Sequence, residues 1–212
     1  MLKDMLTILG RQLRPAFSVL VVLSVLTGLV YPAAMTLAAK VLFPHQAEGS
    51  LLSENGKPDA RIIGSRLIGQ PSSDPGHFWS RPSATSPQPY NASSSGGSNL
   101  TPAGEAQLKA VRERVEALRA ADPGNTRPIP ADLVTASASG LDPHISPAAA
   151  AFQVSRVAHA RGLGEDVLRG LVARHTEGRQ LGFLGEERVN VLVLNQALDS
   201  LAAKADNALT KH

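Results

Sequence analysis

Asp142, His144 and Ser146 lie within five residues of one another in the run ASGLDPHISPAAA, Ala138–Ala150. A carboxylate, an imidazole and a hydroxyl are the groups of nucleophilic hydrolysis, in which the acid orients the base and the base activates the hydroxyl. Triads of that kind are assembled by folding from distant parts of a chain. Spacing this tight reads instead as a turn followed by a helix start, with Ser146 as cap and Pro147 at the first helical position. Asp142 is then expected to bond backbone amides of the turn before it. A membrane-anchored exported hydrolase using Asp142, His144 and Ser137 or Ser139 is the alternative reading, but no G-x-S-x-G elbow supports it.

Other chemistries find less. The six histidines stand at 45, 77, 144, 159, 175 and 212, and no pair forms H-x-x-x-H or H-E-x-x-H. Without a single cysteine the chain has neither thiolate ligands nor disulfides. The run NGKP (residues 55–58) offers Gly-Lys without the rest of a phosphate-binding loop. Gly96, Gly97, Ser98 and Asn99, within SSSGGSNL, are the candidates for a backbone nest around an anion, although such runs more often form plain turns. No metal site and no bound cofactor are expected.

The elements that must position these residues begin with a membrane signature. Residues 1–40 hold four Lys/Arg (Lys3, Arg11, Arg14, Lys40) against Asp4, while the remaining 172 residues hold 17 basic and 17 acidic side chains. The positive excess therefore flanks one hydrophobic stretch, whereas nucleic-acid binding needs a concentrated basic face. Pro15–Ala39 carries no charge, and as a helix its 25 residues would span about 37 Å, enough for a bilayer core of roughly 30 Å. This is longer than the apolar core of a cleaved signal peptide. Cations in front of the span place the N-terminus in the cytoplasm and the bulk of the chain, beyond the span, outside. The expected organisation is a cytoplasmic N-terminus (1–14), a transmembrane helix (15–39) and an extracytoplasmic domain (40–212). Ser24 and Gly28, four apart, offer a small-residue face for a neighbouring helix.

Beyond the span, residues 41–60 read as a loop and Arg61–Gln70 as one or two short strands. His77–Pro102 is rich in Ser, Pro and Gly, yet Phe78, Trp79 and Tyr90 argue that it is an ordered loop packed on something. Thr101 and Pro102 suggest a helix start, with Leu108, Val111, Val115 and Leu118 recurring at helical spacing to about Ala121. Pro130–Gly140 reads as a short extended piece. Helices are predicted over Pro147–Arg161 and from Glu165 to about His175, a strand and turn at RQLGFLG, and a final helix capped by Asn190. The fold class is α+β: a single N-terminal transmembrane helix followed by one soluble mixed domain.

Four blocks resemble the KdpC family, the C subunit of the bacterial Kdp potassium-transporting P-type ATPase. They are GSRLIGQ with FWSRPSA (Gly64–Ala84), SGGSNL (Ser95–Leu100), Pro130–Ala150, and HTEGRQLGFLGEERVNVLVLNQALD (His175–Asp199). The chain departs from the family at Glu187, where Pro is usual, at TPAGEAQ after SNL, and at PSSDPGH, which lacks an aromatic residue. The resemblance implies a non-catalytic accessory subunit in the inner membrane. It would work beside a channel-like potassium-binding subunit, a P-type ATP-hydrolysing subunit and a small stabilising one. The family is described as a catalytic chaperone that raises the hydrolysing subunit's affinity for ATP, so ATP is implied only through that partner. In keeping with such a role, the chain has no Asp-Lys-Thr-Gly phosphorylation motif. Asp142, His144, Arg179 and Arg188 are the candidate contacts in the soluble part, with Ser24 and Gly28 in the span.

Overall fold

The apolar stretch builds a long helical rod. The computed structural model describes residues 2–54 and 60–209, with side chains for 10–54 and 60–201. The NGKP run and His212 lie outside the described residues, as do the side chains of Lys3 and Asp4. Helix α1 (Leu2–Val25) passes through a π-helical turn (Leu26–Val30) into α2 (Tyr31–Leu42). Pro32 explains the π turn: it has no N–H for the Gly28 carbonyl, and its ring crowds that carbonyl, so the turn before it widens. Thr27 bonds the Leu23 carbonyl at 2.7 Å in the same place. The wider turn also falls between Ser24 and Gly28, so their four-residue spacing no longer stacks them as an α-helix would.

The helix continues beyond the predicted Pro15–Ala39 at both ends, through Gly10–Leu42, and its most apolar 18 residues have a mean hydropathy of 2.1. None of it is buried within the chain. Phe17, Leu20, Leu29 and Leu37 all stand exposed around the rod, and a helix apolar on every side requires apolar surroundings. One span across a membrane is compatible with these dimensions. A short helix, α3 (Pro44–Ala47), stands where the sequence suggests a loop.

The second unit, from Leu51 onward, has its own core. Strands β1 (Leu51–Ser53) and β2 (Ile62–Ser65) form an antiparallel hairpin. Strands β3 (His144–Ile145), β4 (Thr176–Glu177) and β5 (Arg188–Asn190) form an antiparallel sheet in the order β3-β5-β4. Four helices accompany them: α4 (Glu105–Ala121), α5 (Pro147–Arg161), α6 (Glu165–Arg174) and α7 (Val191–Leu209). Phe78, Ile145, Val157, Leu168, Leu194 and Leu198 are almost wholly buried among them. The fold is α+β.

Local signals explain most helix ends. Ser146 Oγ accepts the Ala149 N–H at 3.0 Å, Pro147 opens α5, and Gly162 closes it at φ 63°. Asn190 Oδ1 accepts the Val193 N–H at the start of α7. Helix α4 starts later than Thr101 suggests, because Thr-Pro-Ala-Gly forms a turn in which the Gly104 N–H reaches the Thr101 carbonyl at 2.9 Å. Pro second and Gly fourth suit that turn, and the helix begins at Glu105. Leu108, before the packed face of Val111, Val115 and Leu118, is exposed. Pro130–Gly140 contains a 3-10 turn at Ala131–Leu133 instead of an extended piece. There Asp132 accepts the Ser146 N–H at 2.7 Å, which fixes the entry to α5. RQLGFLG forms only a bridge between Gln180 and Leu184, because Leu181, Gly182 and Gly185 all sit at positive φ. The paired strands flank it instead.

The segment after Asp74 is ordered without a strand partner. Asn195 Oδ1 accepts the Phe78 N–H at 2.8 Å, and Asn195 Nδ2 donates to the Phe78 carbonyl at 2.9 Å. Gln153 treats Trp79 alike, at 2.7 and 3.1 Å. Two side-chain amides thus replace a neighbouring strand's backbone. They let Phe78 enter the core with its polar backbone satisfied.

Candidate docking surface

The three-stranded sheet turns Ile145 and Val189 inward, where they pair across β3 and β5. By alternation, His144, Asn190, Arg188 and Glu177 occupy the opposite face. Two ion-paired groups form there. Arg81 Nη1 donates to Asp142 Oδ2 at 3.0 Å, and Asp142 Oδ1 lies 3.2 Å from His144 Nδ1. Beside them Glu177 accepts from Arg66 at 2.6 Å and from Arg188 Nε at 3.1 Å. Asn190 Nδ2 ties the Arg66 carbonyl to β5 at 2.8 Å.

Both carboxyls titrate below their usual range. At Asp142 burial pushes upward, but hydrogen bonds from the His144 ring and amide and the charges of Arg81 and His144 outweigh it. At Glu177 burial also pushes upward and is overcome by the hydrogen bond and charge of Arg66, then by the charges of Arg188 and His144. His144 thus acts on both groups, so they form one electrostatic patch.

The unfolded chain holds these protons more tightly than the folded one. Their stabilisation is complete above the ordinary carboxyl range, near about pH 4, and is lost as pH falls through the lowered folded values. An Asp142→Asn chain is therefore expected to melt at a lower temperature near neutrality and to lose less on acidification than the parent. Thermal midpoints of the detergent-solubilised chain across that range measure this, and parallel curves for the two chains would refute it.

The structure brings Asp142, His144 and Arg188 onto this patch. Arg179 lies on the adjoining hairpin, paired with Glu186 at 2.9 Å. Ser24 and Gly28 are exposed on the rod. Asp142, His144 and Ser146 do not converge on a reaction centre. Ser146 Oγ meets the Ala149 amide and Asp132 Oδ1, at 3.0 and 3.2 Å. Asp142 Oδ1 accepts the His144 N–H at 3.0 Å, in the turn that precedes the Ser146 cap. In SSSGGSNL the Gly96 N–H, one donor a nest would need, goes to the Ser139 carbonyl at 2.9 Å, and Gly97 packs against Ala138. The run lies as a strap along 137–140.

Nothing local in the sequence marks Arg66, Arg81 and Glu177 as members of the patch, although Arg66 and Arg81 sit inside the first resembling block. A second cluster is equally silent in the sequence. His77 bridges Asp74 at 2.8 Å and Asp199 at 3.0 Å through opposite ring nitrogens, and Arg161 reaches Asp199 at 2.6 Å. Carboxylates on opposite sides of one ring do not converge on an ion. Among the described residues no group of three His, Cys, Asp or Glu is placed to hold a metal. The neighbouring recess of about 460 Å³ includes Gln70, Asn195 and Gln196, whose amides already bond the backbone of Ile63, Phe78 and Ser53. It is a structural seam.

Comparison with known proteins decides what kind of chain carries this patch. A family model described as KdpC, the c chain of a K+-transporting ATPase, matches residues 13–200. The chain belongs to the KdpC family. A protein of Polaromonas naphthalenivorans (strain CJ2) named potassium-transporting ATPase KdpC subunit is 62% identical over 189 residues, covering 89% of this chain and 94% of its own. One of the same name from Variovorax paradoxus (strain S110) is 61% identical over 195 residues, covering 92% and 99%. A third, from Methylococcus capsulatus, is 58% identical over 188 residues, covering 89% and 97%. The KdpC match takes in both the apolar rod and the α+β unit, and the patch lies within it.

Proposed function

We propose that this chain is the accessory C subunit of an ATP-driven potassium-uptake complex in a bacterial inner membrane and that it acts by docking. The carrying observation is the KdpC match over residues 13–200 with relatives named as subunits of a potassium-transporting ATPase. KdpC is the c chain of that ATPase, not its hydrolysing subunit. The chemistry of the patch agrees: Asp142 is held ionised by His144 and Arg81 and Glu177 by Arg66 and Arg188, while the nearby Ser146 is engaged as a helix cap. Asp142, His144 and Arg188, with Arg179 beside them, supply polar contacts to a channel-like potassium-binding subunit. Ser24 and Gly28 face helices in the bilayer. The ATP-hydrolysing and the small stabilising subunits complete the assembly.

In this reading residues 1–14 lie in the cytoplasm, 15–39 span the membrane and 40–212 lie outside. Arg11 and Arg14 ahead of the span, against Lys40 behind it, support that orientation. An effect on ATP affinity then has to reach the cytoplasmic side through the span and the partner subunits. It is a coupling free energy between distant sites, and docking of the chain and nucleotide binding should report it reciprocally.

Deleting the chain is expected to abolish potassium-stimulated ATPase activity and co-purification of the remaining subunits; an intact, fully active complex without it would end the proposal. Orientation is tested separately. Because the chain has no cysteine, a Lys109→Cys chain carries one unique thiol. A membrane-impermeant maleimide should label it from outside right-side-out vesicles. Labelling only after the vesicles are opened would reverse the topology and favour direct contact with ATP.

A further inference from the structure

Between β4 and β5 the chain runs out through residues 178–187 and returns. At the tip Leu181, Phe183 and Leu184 are 83%, 68% and 48% exposed. Other exposed apolar residues of this unit, such as Ile62, Leu67 and Val167, are scattered through the chain. Here three gather on one turn.

The turn is built, not loose. Gln180 and Leu184 exchange backbone hydrogen bonds at 2.8 and 2.9 Å, the Gly182 N–H reaches the Arg179 carbonyl at 3.2 Å, and Arg179 pairs with Glu186 across the stem. Leu181 holds φ 54°, an unfavourable conformation for a residue with a Cβ, and it does so with its side chain in water. An apolar knob fixed in this way gains nothing from the rest of its own domain. Desolvation against another surface is what would stabilise it. At the hairpin's base, Pro147, Ala151, Val154, Val172 and Ala173 line a shallow apolar groove of about 370 Å³, with Glu187 at its edge.

Resting on the function proposed above, we infer that Leu181, Phe183 and Leu184 form an anchor that inserts into an apolar recess of a neighbouring subunit of the potassium-transporting ATPase, with Glu187 facing a basic side chain at the rim. The charges favour a protein over a lipid surface. Around the stem Glu177, Glu186 and Glu187 are matched by Arg66, Arg179 and Arg188, so it offers no polybasic face, whereas anionic bilayers draw polybasic segments. Residues 178–187 also lack the Trp, Tyr and Lys of interfacial anchors. A preformed turn suits a preformed recess, since little ordering remains to be done on binding.

The test uses the whole complex, purified through a tag on this chain. A Leu181→Asn, Phe183→Ser double variant keeps a residue tolerant of positive φ at 181, so the turn is retained while the knob is removed. It should recover about tenfold less of the other subunits, or less still, as truncation of buried apolar anchors commonly does. The thermal midpoint of the isolated full chain should stay where it was. Independently, a photo-crosslinking phenylalanine analogue at position 183 should join the chain to another pump subunit. Wild-type yields from the double variant, or crosslinks only to lipid or to a second copy of this chain, would overturn the anchor. If the unaltered chain itself recovers no pump subunit, the proposed function falls and the anchor with it. If the unaltered chain and the double variant recover the subunits equally, only the anchor falls.

Discussion

Replacing Arg156 with methionine is expected to lower stability by about 3–5 kcal/mol, as breaking a buried polar network does. Arg156 is 6% exposed. Its guanidinium donates to the carbonyls of Pro75 and His77 at 2.5 and 3.0 Å and to Gln153 Oε1 at 2.7 Å. It also lies 4.1 Å from the centre of the Trp79 ring. Burial draws its pKa down to about 10, opposed by the charges of Asp122 and Asp74, so it remains a cation at neutral pH. Methionine keeps much of the volume and leaves the Pro75 and His77 carbonyls without this donor, while Gln153 Oε1 keeps only the Trp79 N–H. The midpoint should fall by on the order of 10 °C for a unit of this size. Lysine should recover only part, since one ammonium cannot replace a planar fork across separate acceptors. Trp79 is the only tryptophan, so its emission reports the stacked cation directly. An unchanged midpoint and an unchanged emission spectrum would show that the network does not hold the segment.

That network marks the limit of what the sequence discloses. Ser146-Pro147, Gly162 and Asn190 announce helix ends because caps act within one turn, and the structure places them there. The apolar rod is legible because its composition alone requires it, although the π turn depends on what Pro32 does to the carbonyl behind it. Phe78 and Trp79 suggest an ordered segment, but nothing local identifies Asn195 and Gln153 as its partners, 117 and 74 residues away. Strands of two or three residues carry no measurable alternation, so the Gly-rich turn between β4 and β5 reads more strongly than either strand. The patch shows the same division. All its residues stand in blocks that resemble the family, but the blocks do not say which residues meet: Arg66 and Glu177 pair across 111 residues and Arg81 and Asp142 across 61. Long-range pairs of this kind arise from topology, and short motifs do not encode it.

Phe78→Ala should be comparably damaging, at about 3–5 kcal/mol for a buried aromatic truncated in a core. Phe78 has no exposed surface, although it belongs to a segment with neither helix nor strand. Its ring enters the core while Asn195 holds its backbone from α7. Alanine would leave the Asn195 hydrogen bonds possible and open a cavity that the surrounding helices can close only in part. Phe78→Leu should fall between the two, which separates loss of volume from loss of the backbone clamp. The damage should reach the patch, because Arg81, three residues on, depends on the same segment to meet Asp142. Assembly of a Phe78→Ala chain with the pump subunits should then fail at high growth temperature and recover at a lower one, where enough chain is folded to dock. The tip variant lacks its anchor in a folded domain, so cooling should restore it far less. Equal recovery of both variants on cooling would mean that the tip acts through stability.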